Sequence, residues 1–147
     1  MRIPHETLQQ WEITDADKAA LADLPDAVQP FFQADVQRQV QPAMRGGLYR
    51  IANDLGREIG VGALGVFAVD PQLEMPDLFV NSSVADLAEF LRETGSFQAR
   101  VAGMSEDEAV ARIGEIRGRL QRRDPAAFAG DCTWWLMVFD QLESGQM

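Results

Sequence analysis

Glu58-Ile59-Gly60-Val61-Gly62-Ala63-Leu64-Gly65-Val66-Phe67-Ala68-Val69-Asp70-Pro71 is the stretch whose reading decides the fold class. Gly60, Gly62 and Gly65 match the dinucleotide fingerprint G-x-G-x-x-G. That fingerprint requires a strand running into a helix N-terminus, so that free backbone amides meet a pyrophosphate. Here Val66-Phe67-Ala68-Val69 follows the last glycine. β-branched and aromatic residues suit a strand, and Asp70-Pro71 stops it. The glycines therefore read as a hairpin or bulge joining strands at 58–63 and 65–69.

Strand signals continue on both sides. Residues 30–40 carry Phe31-Phe32, Val36 and Val40 with polar residues between, and residues 48–52 lie between Gly46-Gly47 and Asn53-Asp54. Leu78-Phe79-Val80 follows. Short strands this close, with tight turns, predict antiparallel pairing into a sheet of about four to six strands. Residues 5–24 read as one or two short helices. Thr14 is the cap of the second, Asp15 and Asp17 complement its dipole, and Leu24-Pro25-Asp26 ends it.

The C-terminal part reads as three helices. Ser83 caps the first, which presents Val84, Leu87, Phe90 and Leu91 on one face and ends at Gly95. Ser105 and Glu108 open the second, with Val110, Ile113, Ile116 and Leu120 as its apolar stripe. Its acids lead and its arginines finish, as the helix dipole favours. The third starts at Asp124-Pro125, is interrupted at Gly130, and runs through Phe128, Cys132, Trp135, Phe139 and Leu142. Helices segregated around a central antiparallel sheet make an α+β fold, here as one domain over residues 1–147.

The net charge of −10 is uneven, with a balance of −8 over residues 1–90 and −2 over 91–147. Such acidity disfavours direct contact with nucleic acid or anionic membranes, and it can steer a basic protein partner. One cysteine permits no internal disulfide. No signal peptide pattern or long apolar run is visible, so the cytoplasm is the expected compartment.

Candidate chemistry is sparse. His5 is the sole histidine, near the chain start, and Cys132 falls on an apolar helical face as an expected buried thiol. With one of each, only a carboxylate metal site is conceivable. Asp15-Ala16-Asp17 lacks the glycine of a calcium loop and reads as capping. No metal, cofactor or catalytic residue is therefore expected. Gly114 and Gly118, four apart on a charged helix, predict close packing against a neighbouring element. Trp11 and Trp135 read as core, and Trp134 as either core or an exposed anchor.

Several segments together resemble one family. Leu21-Ala22-Asp23-Leu24-Pro25 before Phe31-Phe32 is similar to the opening of the SUKH superfamily, named for homology to the yeast Smi and Knr cell-wall regulators. Tyr49-Arg50-Ile51, the pair ending at Asp70-Pro71, and Phe79-Val80-Asn81-Ser82-Ser83 resemble its centre. Asp124-Pro125, Trp134-Trp135 and Gly145 resemble the ending of the fourth bacterial SUKH immunity group. The resemblance spans about residues 8–145. It implies a non-enzymatic immunity protein that neutralises a cognate secreted toxin, often a nuclease or nucleic-acid deaminase. Asp35, Asp54, Glu58, Asp70, Glu74, Asp77 and Trp134 are the candidate toxin-binding residues, on a monomer or weak homodimer. The alternatives are a regulatory interaction module of the same fold and a small carboxylate-dependent enzyme.

Overall fold

Capping side chains set where the helices begin. The computed structural model describes residues 3–34, 47–54 and 56–145. After α1 (His5–Gln9), helix α2 (Asp15–Ala20) starts where Thr14 Oγ1 accepts from the Asp17 amide at 3.1 Å. A 3-10 turn, Leu21–Asp23, closes the segment before Pro25.

Among the described residues, six strands then follow in an antiparallel meander whose spatial order is the chain order. They are β1 (Ala27–Val28), β2 (Phe32–Ala34), β3 (Tyr49–Asn53), β4 (Glu58–Gly62), β5 (Gly65–Val69) and β6 (Leu78–Asn81). The strand predicted over 30–40 contributes β2. The rest of that stretch, including Asp35, lies outside the described residues. β1 has two residues, too few for any period to announce it.

Gly62 pairs with Gly65, so Ala63 and Leu64 alone make the β4–β5 turn. Gly65 sits at φ +127°, and a Cβ there would lie 2.7 Å from the Asn81 carbonyl oxygen. That glycine serves the close approach of β6, and a strand follows it where nucleotide binding would need a helix. Alternation along the strands buries Ile59, Val61, Val66, Ala68, Leu78 and Val80 in the core. Phe67 pairs with Phe79 on the other face, their rings edge to face at 5.5 Å.

Three longer helices follow; the first and last contact the sheet, and the second packs on those two. Ser83 caps α3 (Val84–Arg100), and Ser105 caps α4 (Glu106–Arg123). α3 does not stop at Gly95. It runs on through it beside Val28, with which a Cβ at this position would make an ordinary contact at 3.5 Å. In α4, Ile113, Ile116 and Leu120 are buried, but Val110 is 59% exposed and off the apolar stripe. Among the described residues, Gly114 and Gly118 face no neighbouring element either: a Cβ at Gly114 would meet nothing within 4 Å, and one at Gly118 only the Arg122 guanidinium.

The predicted third helix is two pieces. Pro125–Phe128 is a 3-10 turn, Gly130 turns the chain at φ +75°, and α5 (Trp134–Ser144) begins only after Thr133. Cys132 lies in the connecting loop and is exposed, because the helix that would have buried it has not yet begun. The core centres on aromatic rings, with Trp135 5.1 Å from Phe90 and Phe128 5.6 Å from Phe139. Edge-to-face and tilted contacts of this kind add to burial.

Candidate interaction site

The polar residues that carried the resemblance point inward. Asp124 is 3% exposed. Its Oδ2 accepts from Asn81 Nδ2 and from the Ser82 amide, each at 2.9 Å, and its Oδ1 accepts from Ser82 Oγ at 2.6 Å. Asn81 Oδ1 in turn accepts from Trp135 Nε1 at 2.8 Å. One connected network thus ties the end of α4 to the β6–α3 junction and to α5. This is also why Asp124 does not cap the turn after it: its carboxylate is turned to Asn81 and Ser82. Asp17 performs a similar task from α2, accepting from the Val84 amide at 2.9 Å and so capping α3 from a distance.

Trp134 belongs to this framework too. It is 0% exposed, and its Nε1 donates to Asp54 Oδ2 at 2.7 Å. As a surface anchor it is corrected: the indole lies in the core between Phe31 and Trp135. Adjacent residues at the start of α5 are both buried because α5 has sheet on one side and helices on the other.

Among the described residues, the exposed large apolar side chains are Leu64 on the β4–β5 turn, Val110 on α4, and Leu73 with Met75; the last two share one place, at the end of the sheet opposite that turn. The β3–β4 turn and the β5–β6 loop meet there, since Glu58 pairs with Val69 and Arg57 Nη2 lies 3.6 Å from Met75 Sδ. Asp54 builds the turn: its Oδ1 accepts from the amides of Gly56 and Arg57 at 3.0 and 2.6 Å. Asp70 builds the loop. Its Oδ1 accepts from the Gln72 amide at 3.0 Å, and its Oδ2 from the Glu74 and Met75 amides at 3.1 and 3.0 Å. The Gln72 amide is the main cause holding the Asp70 carboxyl below its usual value. Burial opposes that effect, while the other two amides and the Arg57 charge reinforce it.

This clamp fixes an unusual conformation. Leu73 sits at φ +61°, in the left-handed region that non-glycine residues seldom occupy, and its side chain is 63% exposed. Met75 is exposed beside it, with Glu74 and Asp77 exposed on the same loop. An apolar side chain held out in water by a strained backbone is a feature that loops at functional sites share.

The structure therefore divides the candidate residues. Asp54, Glu58, Asp70, Glu74 and Asp77 all fall at this end of the sheet. Asp54 and Asp70 serve as turn formers, and Glu58 pairs with Arg50 at 2.5 Å. Glu74 and Asp77 face outward. Leu73, Met75 and Arg57 were missed by sequence reasoning, since isolated apolar residues in a loop carry no period. The one available signal was Asp70-Pro71 opening a loop too long for a simple hairpin.

Other features are quieter. A groove of about 730 Å³ runs between β1 and α3, with Asp23, Glu89, Arg92 and Arg123 among its walls. Arg92 binds Glu89 and holds that carboxyl below its usual value, and Arg123 binds Asp86. His5 is exposed and bonded to Gln9. Among the described residues, no three His, Cys, Asp or Glu side chains are grouped to hold a metal. No described helix is long and apolar enough to cross a membrane.

A meander sheet layered with helices, locked by an inward polar network and carrying a strained, exposed loop at one end, defines an α+β scaffold that presents a fixed surface loop. The sequence model described as SUKH-4 immunity protein matches residues 1–141, and the chain belongs to that family. No curated protein and no solved structure matches it.

Proposed function

We propose that this chain is a non-catalytic immunity protein that neutralises a cognate secreted toxin of the nuclease or nucleic-acid deaminase class. It covers the toxin's active surface with the end of the sheet built by the β3–β4 turn and the β5–β6 loop. The observation that carries the reading is Asp70 holding Leu73 and Met75 out beside Glu74 and Asp77. Two apolar side chains supply anchors of the kind that dominate interface energies. The acids around them, on a chain of net charge −10, steer the encounter with the basic groove such a toxin presents to nucleic acid. Preorganisation by Asp70 lowers the ordering cost of binding. The protein acts in the cytoplasm, where an incoming toxin meets nucleic acid.

The test is co-expression with candidate secreted toxins of this class, followed by purification of the pair. Growth should be restored and a stoichiometric complex recovered, with association slowing as salt rises. Leu73→Gly relaxes the strained backbone while removing the anchor. It should lower toxin affinity by about tenfold or more with fold stability unchanged or improved. Full affinity in both Leu73→Gly and Glu74→Lys would place the toxin elsewhere on the surface.

A further inference from the structure

We infer that α4 is a self-association face, on which a second copy of this chain docks its own α4 in antiparallel orientation. Three observations meet on that helix. Val110 is exposed, and Gly114, one turn on, has nothing within 4 Å of where its Cβ would be. Among the described residues, nothing uses the close approach these residues permit.

The second observation is the ordering of charge. Glu106, Asp107 and Glu108 fill the first turn and Arg122 and Arg123 the last. Arg117, Arg119 and Arg123 bind Glu143, Glu93 and Asp86 of their own protomer. Arg122, by contrast, makes no ion pair among the described residues, and neither do Glu106, Asp107 and Glu108. An antiparallel partner brings the acidic first turn of one copy to the free Arg122 of the other, twice over. A parallel partner would set acid against acid.

The third is the position of the glycine. Gly114 lies at the middle of Glu106–Arg123, with Val110 and Gly118 four residues to either side. At 1.5 Å rise per residue, a two-fold axis at Gly114 places Val110 about 6 Å along the helix from the axis, opposite Gly118 of the other copy. The same axis sets Asp107 near Arg122. Only the Arg122 guanidinium now overhangs Gly118, and that is the movable end of a long side chain. Apolar residue against glycine and acid against base therefore register together, as an isologous interface requires. This inference is independent of the toxin-binding face.

Sedimentation velocity of the full chain over a wide concentration range reads it directly. The wild type should show a monomer–dimer equilibrium that weakens with salt. Gly114→Glu, sterically free in the protomer, should be monomeric with an unchanged circular dichroism spectrum. Arg122→Glu should weaken the dimer by about tenfold, the loss of two surface ion pairs, and Asp107→Arg added to it should restore the wild-type value. A wild type that stays monomeric throughout overturns the proposal. So does a dimer that persists in Gly114→Glu, or one that Arg122→Glu weakens and the charge swap fails to recover.

Discussion

Replacing Asp124 with alanine tests the inward network that holds the layers together. Three donors point at this carboxylate: Asn81 Nδ2, the Ser82 amide and Ser82 Oγ. They do not suffer equally when it goes. Ser82 is exposed, so its hydroxyl turns to water at little cost. Asn81 is fully buried, and its amide is already fixed by accepting from Trp135. It cannot rotate to a new acceptor without breaking that bond. An orphaned buried donor costs about 1–3 kcal/mol, and losing a charged acceptor at the Ser82 amide adds about 1 kcal/mol. Asp124→Ala should therefore destabilise the fold by about 3 kcal/mol, a large part of the roughly 5–15 kcal/mol a domain possesses. Asp124→Asn keeps one acceptor oxygen and should cost about half as much. Urea unfolding followed by tryptophan fluorescence measures both, since Trp135 belongs to the network. A double-mutant cycle with Asn81→Ala should show coupling above about 1 kcal/mol. Loss of less than about 0.5 kcal/mol in Asp124→Ala, or full additivity with Asn81→Ala, would refute the network as the tie between layers.

Gly65→Ala forces a Cβ to 2.7 Å from the Asn81 carbonyl at φ +127°, and should cost about 2 kcal/mol or more in the same unfolding assay. Gly114→Ala meets open space on α4 and should stabilise dilute protein by about 1 kcal/mol. Asp70→Asn should speed hydrogen exchange at the Gln72, Glu74 and Met75 amides and weaken toxin binding more than it weakens the fold. Because the folded Asp70 carboxyl lies below its ordinary 3.8, its contribution is present above that pH and disappears as pH falls through the lowered value. Protection of those amides should therefore outlast ordinary carboxylate titration, and loss of protection already at mildly acidic pH would contradict the clamp.

The sheet was legible because its glycines were followed by β-branched residues, and the helices because Thr14, Ser83 and Ser105 cap where the pattern says they should. Failures came where tertiary contact overrode local preference. Gly95 reads as a stop signal, yet α3, packed against α2 and α4, runs through it to Arg100. Asp124-Pro125 reads as a helix start, yet the aspartate is drawn to Asn81 and Ser82, and α5 waits for Thr133. Cys132, expected on a buried helical face, lies outside as a result, and Trp134, open between core and surface, lies inside. At the candidate site, the acids could be named from sequence, but not which of them hold turns and which face outward. That distinction rests on amide groups that arrive from residues two to five positions away.

The way Asp70 holds its loop bears on how one scaffold could meet different toxins. Its carboxylate takes main-chain N–H groups of residues 72, 74 and 75, so the loop's path is set by the backbone. Of the side chains at 72–75, that of Met75 accepts from Arg57 Nη2 at 3.6 Å, and those of Leu73 and Glu74 are exposed. Buried polar bonds elsewhere, from Asp124, Asn81, Asp17 and Asp54, anchor both ends of the sheet without using a residue of the loop tip. Exchanging Leu73 or Glu74 therefore changes the surface presented to a partner while the geometry that presents it stays. Recognition can vary at those positions at little cost to folding, whereas the same freedom at Asp70 would dissolve the platform itself.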